Sequence, residues 1–249
     1  MAAALVASGS TAEGAIDPTA PHDLPVTAAI HRHTTQTSSM LFLLQADDLA
    51  GETEALNLPA TDRERPIRER RFTLTHANFP NAALIERAKR LGVVLDMQPA
   101  WMHLDGAALL KVLGPARMKD FHPYKSLFDA GVVMAGGSDH MIKFDSRHAI
   151  NPFNPFFGMW MAITRKLTDG TVLNPEQKIT REQALRMWTL NAAYLSFDEK
   201  RKGSIEPGKL ADLVILSGDI LTCPEDEIRT LEAEATVVGG KLVYSRNPM

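Results

Sequence analysis

The chain has 249 residues, 45% hydrophobic and 23% charged, with a formal net charge of −3. That length and balance allow a sizeable globular core and argue against nucleic acid or an anionic membrane as the main partner. No apolar run approaches the ~20 residues of a membrane helix. The one cysteine, Cys223, rules out an intrachain disulfide framework and suits a reducing, cytoplasmic setting.

Residues 1–22 are rich in Ala, Thr, Gly and Ser, and no basic residue precedes the short Ala2–Ala7 run, so they read as a disordered leader rather than a signal peptide. Beyond them, strand-like and helix-like segments alternate. Val26 to Ile30 reads as a strand and leads into His31-Arg32-His33. A helix-like segment around Met40 to Gln45 follows, and then a charge-dense connector, Asp47 to Arg71, in which Pro59 and Pro66 oppose a continuous helix. Phe72 to His76 is the next strand, with Phe72 and Leu74 inward. Asn81 to Leu91 is a helix with Ala82, Leu84, Ile85 and Ala88 on one face and Gly92 at its C-cap. Val93 to Met97 is a strand that ends in Gln98-Pro99, with a loop around Trp101 after it. Tyr124 to Ala130 is a short helix stopped by Gly131, and Val132 to Gly136 is a strand that runs into Gly137-Ser138-Asp139.

This alternation predicts βαβ units and a parallel sheet. Each strand end carries a polar residue of catalytic type, the habit of a (β/α) barrel. No glycine-rich phosphate loop follows the first strand, as an open dinucleotide-binding sheet would require. The segment Asn151 to Phe157 reads as a rigid aromatic loop over the pocket or as core packing. Thr180 to Gln183 is a capping box opening a helix to Ser196. After it the texture changes to a small antiparallel lobe: a turn from Gly203 to Pro207, a strand from Ala211 to Leu216, and a hairpin turning at Gly239-Gly240.

Asp139 alone reads first as a turn or N-cap aspartate, with a metal-bound carboxylate that takes a proton from a nucleophilic water as the alternative. His76 alone is an ordinary strand-end histidine, and it gains weight from the polar strand ends around it. His31 and His33 share one face if they continue the strand, so both or either serves as a ligand. Gln98 and His103 are positioned to hydrogen-bond a substrate carbonyl or leaving group. His140 directly follows Asp139 and is a further substrate-binding candidate, with His122 and His148 ranked lower.

Together these residues resemble a family. The segments Thr75-His76-Ala77, Gln98-Pro99, Ser126 to Val132 running into Gly137-Ser138-Asp139, Ala184 to Ala193, and above all Lys202 to Leu216 resemble the metal-dependent amidohydrolase superfamily, in particular its YtcJ-like (amidohydrolase 3) group. The resemblance implies an α/β fold, a TIM-like barrel with a small β-sandwich lobe. It also implies hydrolysis of carbon–nitrogen bonds in small amide-type molecules by water activated on one or two divalent metals, usually zinc. Carried onto this chain, His76 matches the strand-six ligand and Asp139 the strand-eight aspartate, which acts as general base and acid. The strand-five ligand falls at His33 or, with a slip of two, at His31. The Gly-Asp of that family motif is Gln36-Thr37 here.

The family's first-strand His-x-His pair and fourth-strand lysine or acid have no counterpart upstream of Val26. The expectation is therefore the C-terminal half of the domain: residues 23–202 as about strands five to eight, and 203–249 as part of the lobe. On this expectation a homo-oligomer or a separate N-terminal half completes the site. The alternatives are a catalytically inactive fragment and a non-enzymatic binding protein.

Overall fold

A computed structural model describes residues 70–140 and 152–247. All of them belong to one compact unit, Leu58–Met249. The leader, the strand Val26 to Ile30, the helix around Met40, the connector to residue 69, and His31, His33 and His148 lie outside the described residues.

Strands β1 (Thr73–Thr75), β2 (Val94–Met97) and β3 (Met134–Gly136) form a parallel sheet in the order β1-β2-β3. Thr75 lies opposite Asp96, and Asp96 opposite Ala135, so the three carboxyl ends are level. Val94, Leu95 and Met97 are buried, as in a parallel strand covered on both faces. The connection between β1 and β2 contains helix α1 (Ala82–Leu91), where the Asn81 side chain accepts from the Leu84 N–H and Gly92 takes a left-handed φ of 66° at the C-terminus.

Between β2 and β3 the structure corrects one expectation. The presumed loop around Trp101 is helix α2 (Pro99–Met118), which starts directly after β2 with Pro99 in its first turn and breaks at Gly114 (φ 73°, ψ 165°) before Pro115. Helix α3 (Tyr124–Ala130) packs on α1 and stops at Gly131, as read from the sequence. The Asn-Pro-Phe segment is corrected too. Asn154 caps helix α4 (Pro155–Thr164), so Pro155 to Phe157 are helical. The residues from Met159 to Thr164 are all buried, as expected of a central helix that is apolar on every side.

The capping box at Thr180 and Gln183 is present. The single helix expected from it is instead two, α5 (Arg181–Trp188) and α6 (Leu190–Leu195), divided at Thr189 (φ −120°, ψ −89°). Thr189 Oγ1 donates to the Leu185 carbonyl, a back-bond that bends helices. The break lets Trp188 cover Gly136 while the Asn191 side chain reaches the Met134 carbonyl at 2.9 Å.

The C-terminal part is an antiparallel sheet of β4 (Leu213–Leu216), β5 (Ala233–Val238) and β6 (Lys241–Ser245) in that order. Gly239 and Gly240 both have positive φ (57° and 78°), the primed hairpin turn expected of the pair. Among the described residues no helix is long and apolar enough to cross a membrane.

Candidate functional site

The level carboxyl ends of the parallel sheet build the site. After β1 the chain turns through the left-handed region at His76 (φ 71°) and Ala77 (φ 39°), and after β3 it does so at Asp139 (φ 48°). Non-glycine residues held there cost on the order of 1–3 kcal/mol each and concentrate at functional sites. The backbone N–H of His76 donates to the Asp96 carbonyl at 2.8 Å, and that of Gly137 to the Met97 carbonyl at 2.8 Å. Both turns are thus tied to the end of β2, the strand between them.

The result is a convergence of side chains. His76 Nε2 stands 3.6 Å from Asp139 Oδ2, with each side chain about a third exposed (32% and 29%). Trp101, in the first turn of α2, donates from Nε1 to Asp139 Oδ2 at 3.0 Å. Its ring meets that of His76 edge to face, with centroids 6.1 Å apart.

Two more groups belong to this place. Asp96 lies within the otherwise apolar β2, and burial pushes its carboxyl above the usual range. The nearby His76 and a hydrogen bond from Gln98 work against that rise, and the Asp139 charge adds to it. The sequence reading passed over Asp96; the available signal was one carboxylate inside the apolar run Val93 to Met97, which is costly to bury without a purpose. Gln98 is 3% exposed. The Asp96 carboxylate only accepts, so Gln98 donates to it from Nε2. Among the described residues Gln98 Oε1 is buried without a partner. A Cβ on Gly137 would stand 3.2 Å from Asp96 Oδ1 and 3.6 Å from Gln98 Nε2, so glycine leaves this corner uncrowded.

The remaining candidates sit elsewhere. His103 follows Trp101 by two residues, roughly 200° around the helix, and its contacts are with other groups. Its Nδ1 donates to the Lys166 carbonyl at 2.6 Å, and its ring packs edge-on against Phe157 and Trp160. It lines a separate cavity of about 340 Å³ with Trp160, Lys166, Asp226 and Arg229. Burial holds its pKa below the usual histidine value. His140 stacks edge-on against Phe153 at 4.8 Å. His122 is wholly buried between Asn78 Oδ1 and the Tyr124 hydroxyl, a structural role. His31 and His33 lie outside the described residues.

The donor set suits a divalent cation. Two ligands of one tetrahedral zinc stand about 3.3 Å apart, given ligand distances near 2.0–2.1 Å. His76 Nε2 and Asp139 Oδ2, at 3.6 Å, match that spacing. The indole on Asp139 Oδ2 is the kind of outer partner that orients a metal-binding carboxylate. Among the described residues no group of three or more His, Cys, Asp or Glu is arranged to hold a metal ion.

A sequence model described as the amidohydrolase family matches residues 12–244. The chain is 32% identical over 203 residues to the putative amidohydrolase YtcJ of Bacillus subtilis, covering 80% of this chain and 36% of that protein. It is 37% identical over 124 residues to the N-substituted formamide deformylase of Arthrobacter pascens, covering 50% of this chain and 21% of that one. The chain therefore spans about a third or less of the length of these curated relatives. Its fold is similar to that of an uncharacterized metal-dependent hydrolase from Pyrococcus horikoshii, with a TM-score of 0.51 and 26% identity over 62% of this chain and 30% of that one.

Proposed function

The chain belongs to the amidohydrolase family, and from that premise we propose that it serves a metal-dependent hydrolase acting on carbon–nitrogen bonds, other than peptide bonds, of a small amide-type substrate. The observation that carries this reading is the 3.6 Å approach of His76 Nε2 and Asp139 Oδ2 over the end of β2. His76 and Asp139 would hold the cation, with His33 or His31 as the third ligand. We take the cation to be zinc because imidazole and carboxylate donors suit it. A divalent metal held there polarises a carbonyl and lowers the pKa of water.

The protein's own groups do the rest. Asp139 receives the proton of the attacking water at its carboxylate and returns it to the departing nitrogen. Trp101 fixes the direction of that carboxylate through its indole N–H, and its ring with that of His76 walls the site. The β1-β2-β3 sheet is assigned to a TIM-like barrel and the β4-β5-β6 sheet to its lobe, with a homo-oligomer or a separate N-terminal half completing the barrel. The one cysteine favours a cytoplasmic setting.

Metal analysis of the purified chain tests the reading. Stoichiometric zinc, lost in His76→Ala and in Asp139→Ala while the fold survives, is the expected result. Protein that folds cooperatively yet retains no divalent metal would favour the binding-protein alternative and sink the hydrolase.

A further inference from the structure

We propose that His122 and Asn78 are positioning residues for His76: together they clamp the left-handed turn that presents its imidazole to Asp139. This rests on the reading of His76 and Asp139 as one centre and adds the groups that hold it in shape.

The turn needs a clamp. His76 and Ala77 are consecutive non-glycine residues at positive φ (71° and 39°), and such conformations persist only where the surroundings over-determine them. On the strand side, the His76 N–H donates to the Asp96 carbonyl at 2.8 Å, and the Ala77 N–H closes back onto the Thr75 carbonyl at 3.0 Å. These bonds fix where the turn begins. Where it ends is set by the next residue, Asn78, and His122 holds that residue twice. The His122 backbone N–H donates to the Asn78 carbonyl at 2.8 Å, and His122 Nε2 meets Asn78 Oδ1 at 2.9 Å. Phe79 extends the contact by packing on the ring of Phe121, with centroids 4.7 Å apart.

His122 can serve as an anchor because it is itself fixed on every side. An amide oxygen only accepts, so Nε2 donates to Asn78. Burial disfavours a second ring proton, and Nδ1 accordingly accepts from the Tyr124 hydroxyl at 2.6 Å. The His122 carbonyl accepts from the Tyr124 N–H at 2.8 Å and from Arg165 Nη1 at 2.6 Å. Packing alone does not account for an imidazole in this place, since a phenyl ring would fill the volume with no polar group to bury. A buried polar network whose members are all satisfied is rigid. Its last member is Asn78, two residues from the imidazole whose Nε2 stands 3.6 Å from Asp139 Oδ2. The orientation of His76 is thus set from the segment between α2 and α3 as well as from β2.

Amide hydrogen exchange of the purified full chain, read by NMR, tests this without requiring turnover. The reporter is the His76 N–H, bonded to Asp96, and the internal control is the Gly137 N–H, bonded to Met97 at the other turn. His122→Phe and Asn78→Leu each remove the side-chain bond. Both are expected to speed exchange at His76 by about tenfold while Gly137 exchanges as in the parent chain. His122→Gln, whose amide N–H reaches toward the position of Nε2, is expected to keep the parent rate at His76. In a chelator competition the first two variants are expected to hold divalent metal about tenfold less tightly, and the glutamine variant as tightly as the parent. Asn78→Leu decides the matter if His122→Phe does not fold. A parent rate at His76 in the folded variants overturns the proposal, and so does equal acceleration at His76 and Gly137, which marks a loss of global stability alone. Unchanged metal retention in variants of a metal-binding parent overturns it too. A parent chain that holds no metal, with the exchange pattern as expected, counts against the hydrolase reading and leaves the clamp standing.

Discussion

The indole of Trp101 grips Asp139 Oδ2 at 3.0 Å, so the first turn of α2 sets the direction of a carboxylate delivered by β3. Outer partners of this kind are worth about 10–100-fold in metal affinity. Trp101→Phe keeps a large ring beside His76 and removes only the N–H. It is expected to weaken divalent-metal retention about tenfold in a chelator competition, with little change in melting temperature. Equal metal retention in the two proteins would show that Asp139 is oriented by other groups.

A second consequence concerns pH. His122 is wholly buried, and desolvation pushes its pKa well below 6.5, with the Arg165 and His76 charges acting in the same direction. His103 is shifted the same way by burial. In the folded chain burial disfavours the protonated form of both groups, whereas in the unfolded chain both take up protons near the ordinary histidine value. Stability is therefore full above about pH 6.5 and falls as pH drops below it, by up to about 1.4 kcal/mol per pH unit for each group until its folded pKa is reached. Denaturant melts at pH 7.5, 6.0 and 5.0 should show this decline, and His122→Gln should flatten it. A midpoint that does not move between pH 7.5 and 5.0 would contradict the assignment.

What the sequence revealed and what it concealed have physical causes. The strand ends were legible because glycines and polar residues interrupt short apolar runs there, and the Asn81, Gly92, Gly131 and Gly239-Gly240 signals are local chemistry that tertiary packing leaves alone. Helix α2 was not legible. Pro99, Gly106, Gly114 and Pro115 are of the residue types that ordinarily interrupt helices. Yet Pro99 sits in a first turn that tolerates it, and Gly106 is small because a Cβ would come within 2.6 Å of the Leu167 side chain. Helix α4 was concealed for a related reason, because Asn154-Pro155 marks a turn and a helix start equally well. In the site, His76 and Asp139 stood out as strand-end donors. Asp96 did not, because its role appears only when β2 lies between the other two strands. The function of Trp101 depends on a helix that the pattern hid.

Trp188 supplies a packing test close to the site. Its ring lies against Gly136 at the end of β3, where a Cβ would approach it at 2.6 Å, and a Cβ on Gly158 of α4 would come within 2.7 Å of the same ring. Neither strand, helix nor ring has slack in a close-packed core. Gly136→Ala is expected to cost about 1–3 kcal/mol through overpacking. Because Gly136 leads directly to Gly137-Ser138-Asp139, the variant should also weaken metal retention. A melting temperature within a degree of the parent would mean that Trp188 turns aside freely.

Among the described residues Arg165 is the largest fully buried side chain, and it carries a charge. Its Nε donates to the Leu173 carbonyl at 2.6 Å, Nη1 to the His122 carbonyl at 2.6 Å and Nη2 to the Phe121 carbonyl at 2.9 Å. Burial lowers its pKa to about 10, which leaves it charged at neutral pH, and the Tyr124 ring lies 5.5 Å from the guanidinium carbon. The planar fork thus ties the end of α4 to the segment between α2 and α3, the segment that also anchors Asn78 of the β1–α1 loop through His122. Arg165→Met leaves three buried carbonyls without this donor, at about 1–3 kcal/mol each before relaxation. Arg165→Lys retains the charge on a single point donor that cannot span three acceptors. The expected order of stability in denaturant melts is therefore the parent, then Arg165→Lys, then Arg165→Met, with the lysine variant at least about 2 kcal/mol below the parent. A lysine variant as stable as the parent would show that charge rather than the fork geometry holds this junction together.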